Sequence, residues 1–193
     1  MRLVFLGPPG AGKGTQAARV AEALGVPAIS TGDIFRANVR EGTPLGVEAQ
    51  RYMDAGEYVP DAVTNAMVRD RIAESDAVGG FLLDGYPRTL DQVGELDAML
   101  AAIGAELDKV VELTADTDEV VRRLLARAEI EGRTDDTVEV ISHRLDIYRE
   151  ATEPLANLYA ERGLLAQADG LGSVEDVTRR ILDAIGFSLG AVG

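Results

Sequence analysis

Five short apolar runs punctuate the chain, at residues 3–6, 28–30, 81–84, 110–113 and 165–169. Between them, apolar residues recur every three or four positions. Short continuous runs read as strands buried on both faces, and the intervening period reads as amphipathic helix. Strand–helix alternation of this kind predicts an α/β fold, a five-stranded parallel sheet with helices on both faces. After the first run, Ala17, Val20, Ala21 and Leu24 stand at core spacing, and Gly25 stops the helix. Asp116-Thr117-Asp118-Glu119 opens a later helix carrying Val120, Leu124 and Leu125. The last helix has Ser173 as N-cap, Asp176 three residues on, then Val177, Ile181 and Ile185, with Gly186 at its end.

Two stretches break the rhythm. Between the second and third runs, residues 31–80 carry several helical patterns and no strand. Thr31-Gly32-Asp33 starts one helix, with Thr31 itself suited to the N-cap, and Pro60-Asp61 makes a fitting first turn for another. That is too long for a plain crossover, so an inserted helical subdomain is expected. The second stretch, residues 127–136, is short and polar and reads as a small surface flap. The expected organisation is therefore one core domain over residues 1–193 with these two insertions.

At 46% apolar residues the chain can bury a sizeable core. It has no Cys, which excludes disulfides and cysteine-ligated metal. Thirty-three acidic against 19 basic residues give a net charge of −14, which argues against nucleic acid and anionic membranes as partners. No apolar stretch is long enough to span a bilayer, and the run at 3–6 is too short for a signal peptide, so a cytosolic address is the default. An acidic protein that binds a polyanion needs a concentrated cationic site. Only Lys13 and Lys109 are lysine; the remaining cations are arginines, whose planar fork grips phosphate bidentately.

Gly7-Pro8-Pro9-Gly10-Ala11-Gly12-Lys13-Gly14-Thr15 follows the first strand and precedes the first helix. The G-x-x-x-x-G-K spacing in strand–loop–helix context is that of a phosphate-binding loop. Glycines let successive N–H groups turn inward at an anion, the helix start adds its own unsatisfied N–H groups, and Lys13 supplies full charge. Gly14 stands where Ser or Thr commonly ligates magnesium, and Thr15 lies one step further on. Magnesium is therefore expected on nucleotide oxygens and water, with Asp84 orienting its waters. Asp84 closes the third strand, next to Gly85-Tyr86-Pro87-Arg88, and carboxylates at the carboxyl ends of buried strands are well placed for that task. Arg88 is positioned to project over the same edge. Arg36, taken alone, reads equally as a solvated helix arginine. His143, the single histidine, reads as a surface residue.

The phosphate loop, Ser30-Thr31-Gly32-Asp33, Asp84-Gly85-Tyr86-Pro87-Arg88 and Arg133-Thr134-Asp135-Asp136, in that order and spacing, resemble the adenylate kinase family along nearly the whole chain. The resemblance implies that Gly10, Ala11, Gly12, Lys13, Gly14 and Thr15 hold ATP phosphates. Residues 30–59 would form a mobile AMP-binding subdomain, with Thr31 and Arg36 contacting AMP. The main chain of Glu57, Tyr58, Val59 and Gly85, the Tyr86-Pro87 segment and Arg88 would complete that pocket. Gln92 would read the adenine edge with a carboxamide that donates and accepts at once. Arg123 and Arg127 would face ATP, and the backbone at Gly172 its base. Arg133 and Arg144 would straddle the transferring phosphoryl group and AMP, while Asp135 and Asp136 would hold the flap's arginines in place. Lys13, Asp84, Arg88, Arg127, Arg133 and Arg144 would thus form the catalytic set.

Residues 127–136 are too short for the long lid of many bacterial relatives, so the resemblance is to the short-lid branch and gives no zinc site. It implies a monomer acting on ATP, AMP and ADP with Mg2+. Thr31 and Gln92 favour AMP over UMP or CMP, whose kinases tend to carry Ala and Asn there. A pyrimidine nucleoside monophosphate kinase is the alternative within enzymes. A nucleotide-sensing switch is the alternative outside them, and it leaves the second polar set of Arg36, Arg88 and Gln92 unexplained.

Overall fold

The computed structural model describes residues 1–131 and 137–187, without the Glu131 side chain. Five parallel strands form one sheet in the order β2-β3-β1-β4-β5: β1 Arg2–Leu6, β2 Ala28–Ser30, β3 Phe81–Asp84, β4 Lys109–Thr114 and β5 Leu165–Asp169. The expected runs match these strands to within a residue at either end. In the register, Phe5 stands opposite Asp84 on one side and Val111 on the other.

Alternating side chains divide the core between the two faces. Val4, Leu6, Phe81 and Leu83 pack on one face beneath α4 (Asp61–Ile72), α5 (Leu90–Ala102) and α8 (Pro154–Glu161). Leu3, Phe5, Leu82 and Val111 pack on the other beneath α1 (Lys13–Leu24) and α9 (Val174–Ala184). Leu82 is fully buried, and truncating it to Ala costs about 2–5 kcal/mol by the behaviour of such sites. Gly25 closes α1 in the left-handed conformation, and Ser173 caps α9 by accepting from Asp176 N, as its spacing predicts.

Between β2 and α4, α2 (Thr31–Glu41) and α3 (Pro44–Ala55) form a helical hairpin. Its own small core holds Phe35, Ala49 and Val59. The cap of α2 falls one residue earlier than expected: Ser30 Oγ accepts from Asp33 N. Thr31 is thereby released from capping and buried.

The polar stretch from residue 127 is not loop at its start. α6 runs Thr117–Glu131, so Arg127 sits on its last turns, one helical turn beyond Leu124, which packs against α7 (Val138–Ile147). Arg133, Asp135 and Asp136 lie outside the described residues. A π turn, Tyr148–Thr152, joins α7 to α8. His143 is exposed on α7.

Candidate active site

The carboxyl ends of β1 and β3 open onto a single cleft of about 780 Å3. In parallel sheets ligands bind at this edge, because there the loops diverge and the helix N-termini point inward. The glycine-rich loop forms one wall. Gly12 caps α1, so Lys13 is the first helical residue and the N–H groups of the first turn face the cleft. Gly10 is required sterically as well as conformationally. It has φ +86°, and a Cβ there would lie 2.8 Å from Leu124 Cγ and 2.9 Å from Val120 O. The loop is thus wedged against α6.

Lys13 curls back into the loop, its Nζ donating to Gly7 O at 2.7 Å and Pro8 O at 2.9 Å. Burial pushes its pKa down from 10.5 to about 8; Asp84 opposes the shift, while Arg88 and Arg127 add to it. Three cations therefore converge on one volume, as the sequence suggested for Lys13, Arg88 and Arg127. Asp84 stands at the loop's mouth, one carboxylate oxygen 3.7 Å from where a Cβ on Gly14 would be. Among the described residues no group of three or more His, Cys, Asp or Glu converges as a metal cluster. A strand-end carboxylate beside a phosphate loop fits a hydrated magnesium that arrives on a nucleotide.

The opposite wall is built around Gly85, in the left-handed conformation at φ +82°. Its carbonyl accepts from Thr31 Oγ1 at 3.0 Å and from Arg88 Nε at 2.7 Å, pinning α2 to the strand edge and aiming the guanidinium outward. Gln92, buried at the foot of this wall, accepts on Oε1 from Arg88 N at 2.7 Å and donates from Nε2 to Asp61 Oδ1 at 2.6 Å. Asp61 also accepts from Thr89 Oγ1 at 2.9 Å. Flipping the amide would set donor against donor and acceptor against acceptor, so its orientation is fixed, with one N–H and one lone pair left over.

Arg36, paired with Asp33, lines the same wall. So do Glu57, Tyr58, Val59 and Pro87. Arg144 reaches it from α7, Nη2 donating to Met53 O at 3.2 Å. On the loop side, Arg123 donates from Nε to Glu119 at 2.6 Å and from Nη1 to Gly170 O at 3.1 Å, and Gly172 also lines the cleft. Ala11, Gly12, Gly14, Thr15 and Arg127 complete that side.

Tyr86 is the exception among the expected contacts. Its ring is buried in the core rather than lining the cleft, its hydroxyl donating to Asn65 Oδ1 at 2.9 Å, and burial pushes the phenol well above the ordinary tyrosine range. The sequence gives no sign of the site roles of Asp61 and Thr152, which depend on contacts distant along the chain. Asp61 alone carries a local signal, as a first helical turn beside Pro60.

A phosphate loop and a second cationic wall, facing each other across one cleft of a parallel sheet, make up the architecture of a P-loop phosphotransferase. The family model for adenylate kinase matches residues 5–164. The adenylate kinase of a Nocardioides species is 65% identical over 185 residues, covering 96% of this chain and 97% of its own length. That of Kocuria rhizophila is 63% identical over 184 residues (95% and 98%), and that of Thermobifida fusca 58% over 185 (96% and 98%). The chain belongs to the adenylate kinase family.

Proposed function

We propose that this enzyme catalyses reversible phosphoryl transfer from MgATP to AMP, giving two ADP. The observation that carries the reading is the single cleft with a phosphate loop on one wall and Thr31, Arg36, Arg88 and Gln92 on the other. A protein that only sensed one nucleotide has no use for the second wall.

ATP phosphates lie along residues 10–15, and Arg123 and Gly172 flank its base. AMP lies against the α2–α3 hairpin, and the leftover N–H and lone pair of Gln92 meet the adenine edge. The hairpin, residues 30–59, acts as the AMP-binding subdomain and residues 127–136 as a short lid. An anionic oxygen of AMP attacks the γ-phosphorus while the bond to the β–γ bridging oxygen breaks. The attacking oxygen is already deprotonated at neutral pH, so no general base is needed.

What the reaction needs is cancelled charge. Two unit charges about 4 Å apart repel by about 4 kcal/mol at an effective dielectric near 20. Several such pairs meet between donor and acceptor, and Lys13, Arg88, Arg127 and Arg144 surround them; Arg133, which the resemblance adds to this set, lies outside the described residues. Asp84 would orient the waters of a magnesium ion arriving on the nucleotide, which would supply further charge to the phosphate oxygens. Holding the reactants in line contributes about 7–11 kcal/mol, and one arginine on the transition state is worth roughly 10³–10⁵ in rate. Enclosing the cleft keeps water from intercepting the phosphoryl group.

The test is ADP formation from ATP and a panel of AMP, UMP, CMP and GMP with magnesium. AMP is expected to exceed the others in kcat/KM. A preference for UMP or CMP would make the enzyme a pyrimidine nucleotide kinase, and no turnover with any acceptor would refute the reading.

A further inference from the structure

Thr152 lies at the end of the π turn, buried, with its Oγ1 2.8 Å from Arg88 O and 2.8 Å from the Tyr58 hydroxyl. A threonine hydroxyl has one proton, and a carbonyl can only accept. Thr152 therefore donates to Arg88 O, and Tyr58 must donate to Thr152. The direction of the chain is fixed: Tyr58 hydroxyl to Thr152 hydroxyl to Arg88 carbonyl. The same tyrosine presents its ring face to the Arg88 guanidinium, whose central carbon lies 4.9 Å from the ring centroid. Arg88 is thus gripped at its N–H by Gln92, at its carbonyl by Thr152, at Nε by Gly85 and across its plane by Tyr58. Tyr58 leaves the end of the α2–α3 hairpin 94 residues before Thr152, so the contact joins three separate segments around one arginine. Interrupting a helix with a π turn has a recognisable purpose when it delivers a side chain to a site in this way.

We propose that Tyr58, anchored by Thr152, is a positioning residue that sets the plane of the Arg88 guanidinium toward the acceptor phosphate. The inference rests on the reading of Arg88 as a ligand of that phosphate. The ring's negative face attracts the cation, and the hydroxyl chain prevents the ring from turning.

Steady-state turnover with ATP and AMP tests it through paired variants. Tyr58→Leu is expected to lower kcat roughly tenfold, the upper part of what a partly desolvated cation–π contact is worth, and to leave KM for ATP unchanged. Tyr58→Phe keeps the ring and is expected to recover kcat to within roughly threefold of the parent. Thr152→Val is expected to lower kcat, and Thr152→Ser to restore it; this pair carries the test should Tyr58→Leu not fold. In an Arg88→Ala background, Tyr58→Leu is expected to cost nothing more. The proposal is overturned if Tyr58→Leu leaves kcat at the parent value, or if its loss is the same with and without Arg88. Should Arg88→Ala itself turn over normally, the assignment of Arg88 falls first, and the proposal falls with it.

Discussion

Gly85→Ala perturbs the acceptor wall at its tightest point. A Cβ there would stand 2.7 Å from Thr31 Oγ1 and 2.9 Å from Arg88 Nη2, and the residue must keep φ near +82°. Left-handed backbone costs an L-residue about 1–2 kcal/mol. Displacing one of the two donors from the Gly85 carbonyl costs about 1–2 kcal/mol more. The sum, about 2–4 kcal/mol, corresponds to a fall in Tm of roughly 4–16 °C for a chain of this size. The functional effect is more selective. Arg88 is driven off its bond to Gly85 O, and a shift of about 1 Å in such a group costs on the order of a hundredfold in rate. The phosphate loop is not touched by the added methyl. Thermal unfolding, steady-state kinetics and a calorimetric titration with ATP together form the assay. The expected result is a stable variant with kcat/KM for AMP down about a hundredfold and ATP affinity within about twofold of the parent. Unchanged AMP kinetics, or equal losses for both nucleotides, would refute the reasoning.

Three further expectations concern the same cleft. Lys13→Ala and Arg88→Ala should each lower turnover by at least about a hundredfold while circular dichroism and Tm report an intact fold; near-normal turnover in both sinks the assignment. The Lys13 ammonium, pushed down from 10.5 to about 8, binds its proton less firmly in the folded than in the unfolded chain. Between those pH values this group's contribution to stability rises with pH, and ATP phosphates, by restoring the ordinary value, should draw a proton in on binding. Titrations in buffers of different ionisation enthalpy above pH 8 should show that uptake, and Lys13→Met should abolish it. Asp61→Leu removes one of the two contacts that orient the Gln92 amide, leaving the Arg88 N–H alone to hold it, and should narrow the preference for AMP over GMP by roughly tenfold, whereas Asp61→Asn should retain it; an unaltered acceptor profile in Asp61→Leu contradicts the role of the fixed amide.

The strands were legible because a run such as Phe81-Leu82-Leu83, buried on both faces, has no solvent side to dilute its pattern. The phosphate loop was legible because its glycines answer a local backbone demand. Less so was whatever depends on partners distant in sequence. Nothing near Tyr86 signals that its ring turns into the core while its neighbours face the cleft. The shift of the α2 cap to Ser30 followed from burial of Thr31 against Gly85, 54 residues away. Arg127 looked like loop because residues 127–136 are polar, yet α6 carries it half-buried on its last turns, where it lines the cleft. The π turn escapes any period of 3.6, so Thr152 gave no sign of reaching the cleft.

The proposed reaction requires two nucleotide pockets that share one cleft and one ring of cations. The most direct measurement is calorimetric titration with two adenosines joined through a phosphate chain. One equivalent is expected to bind, far more tightly than ATP, and to exclude both ATP and AMP. Affinity no greater than that of ATP, with AMP still able to bind alongside, would contradict it.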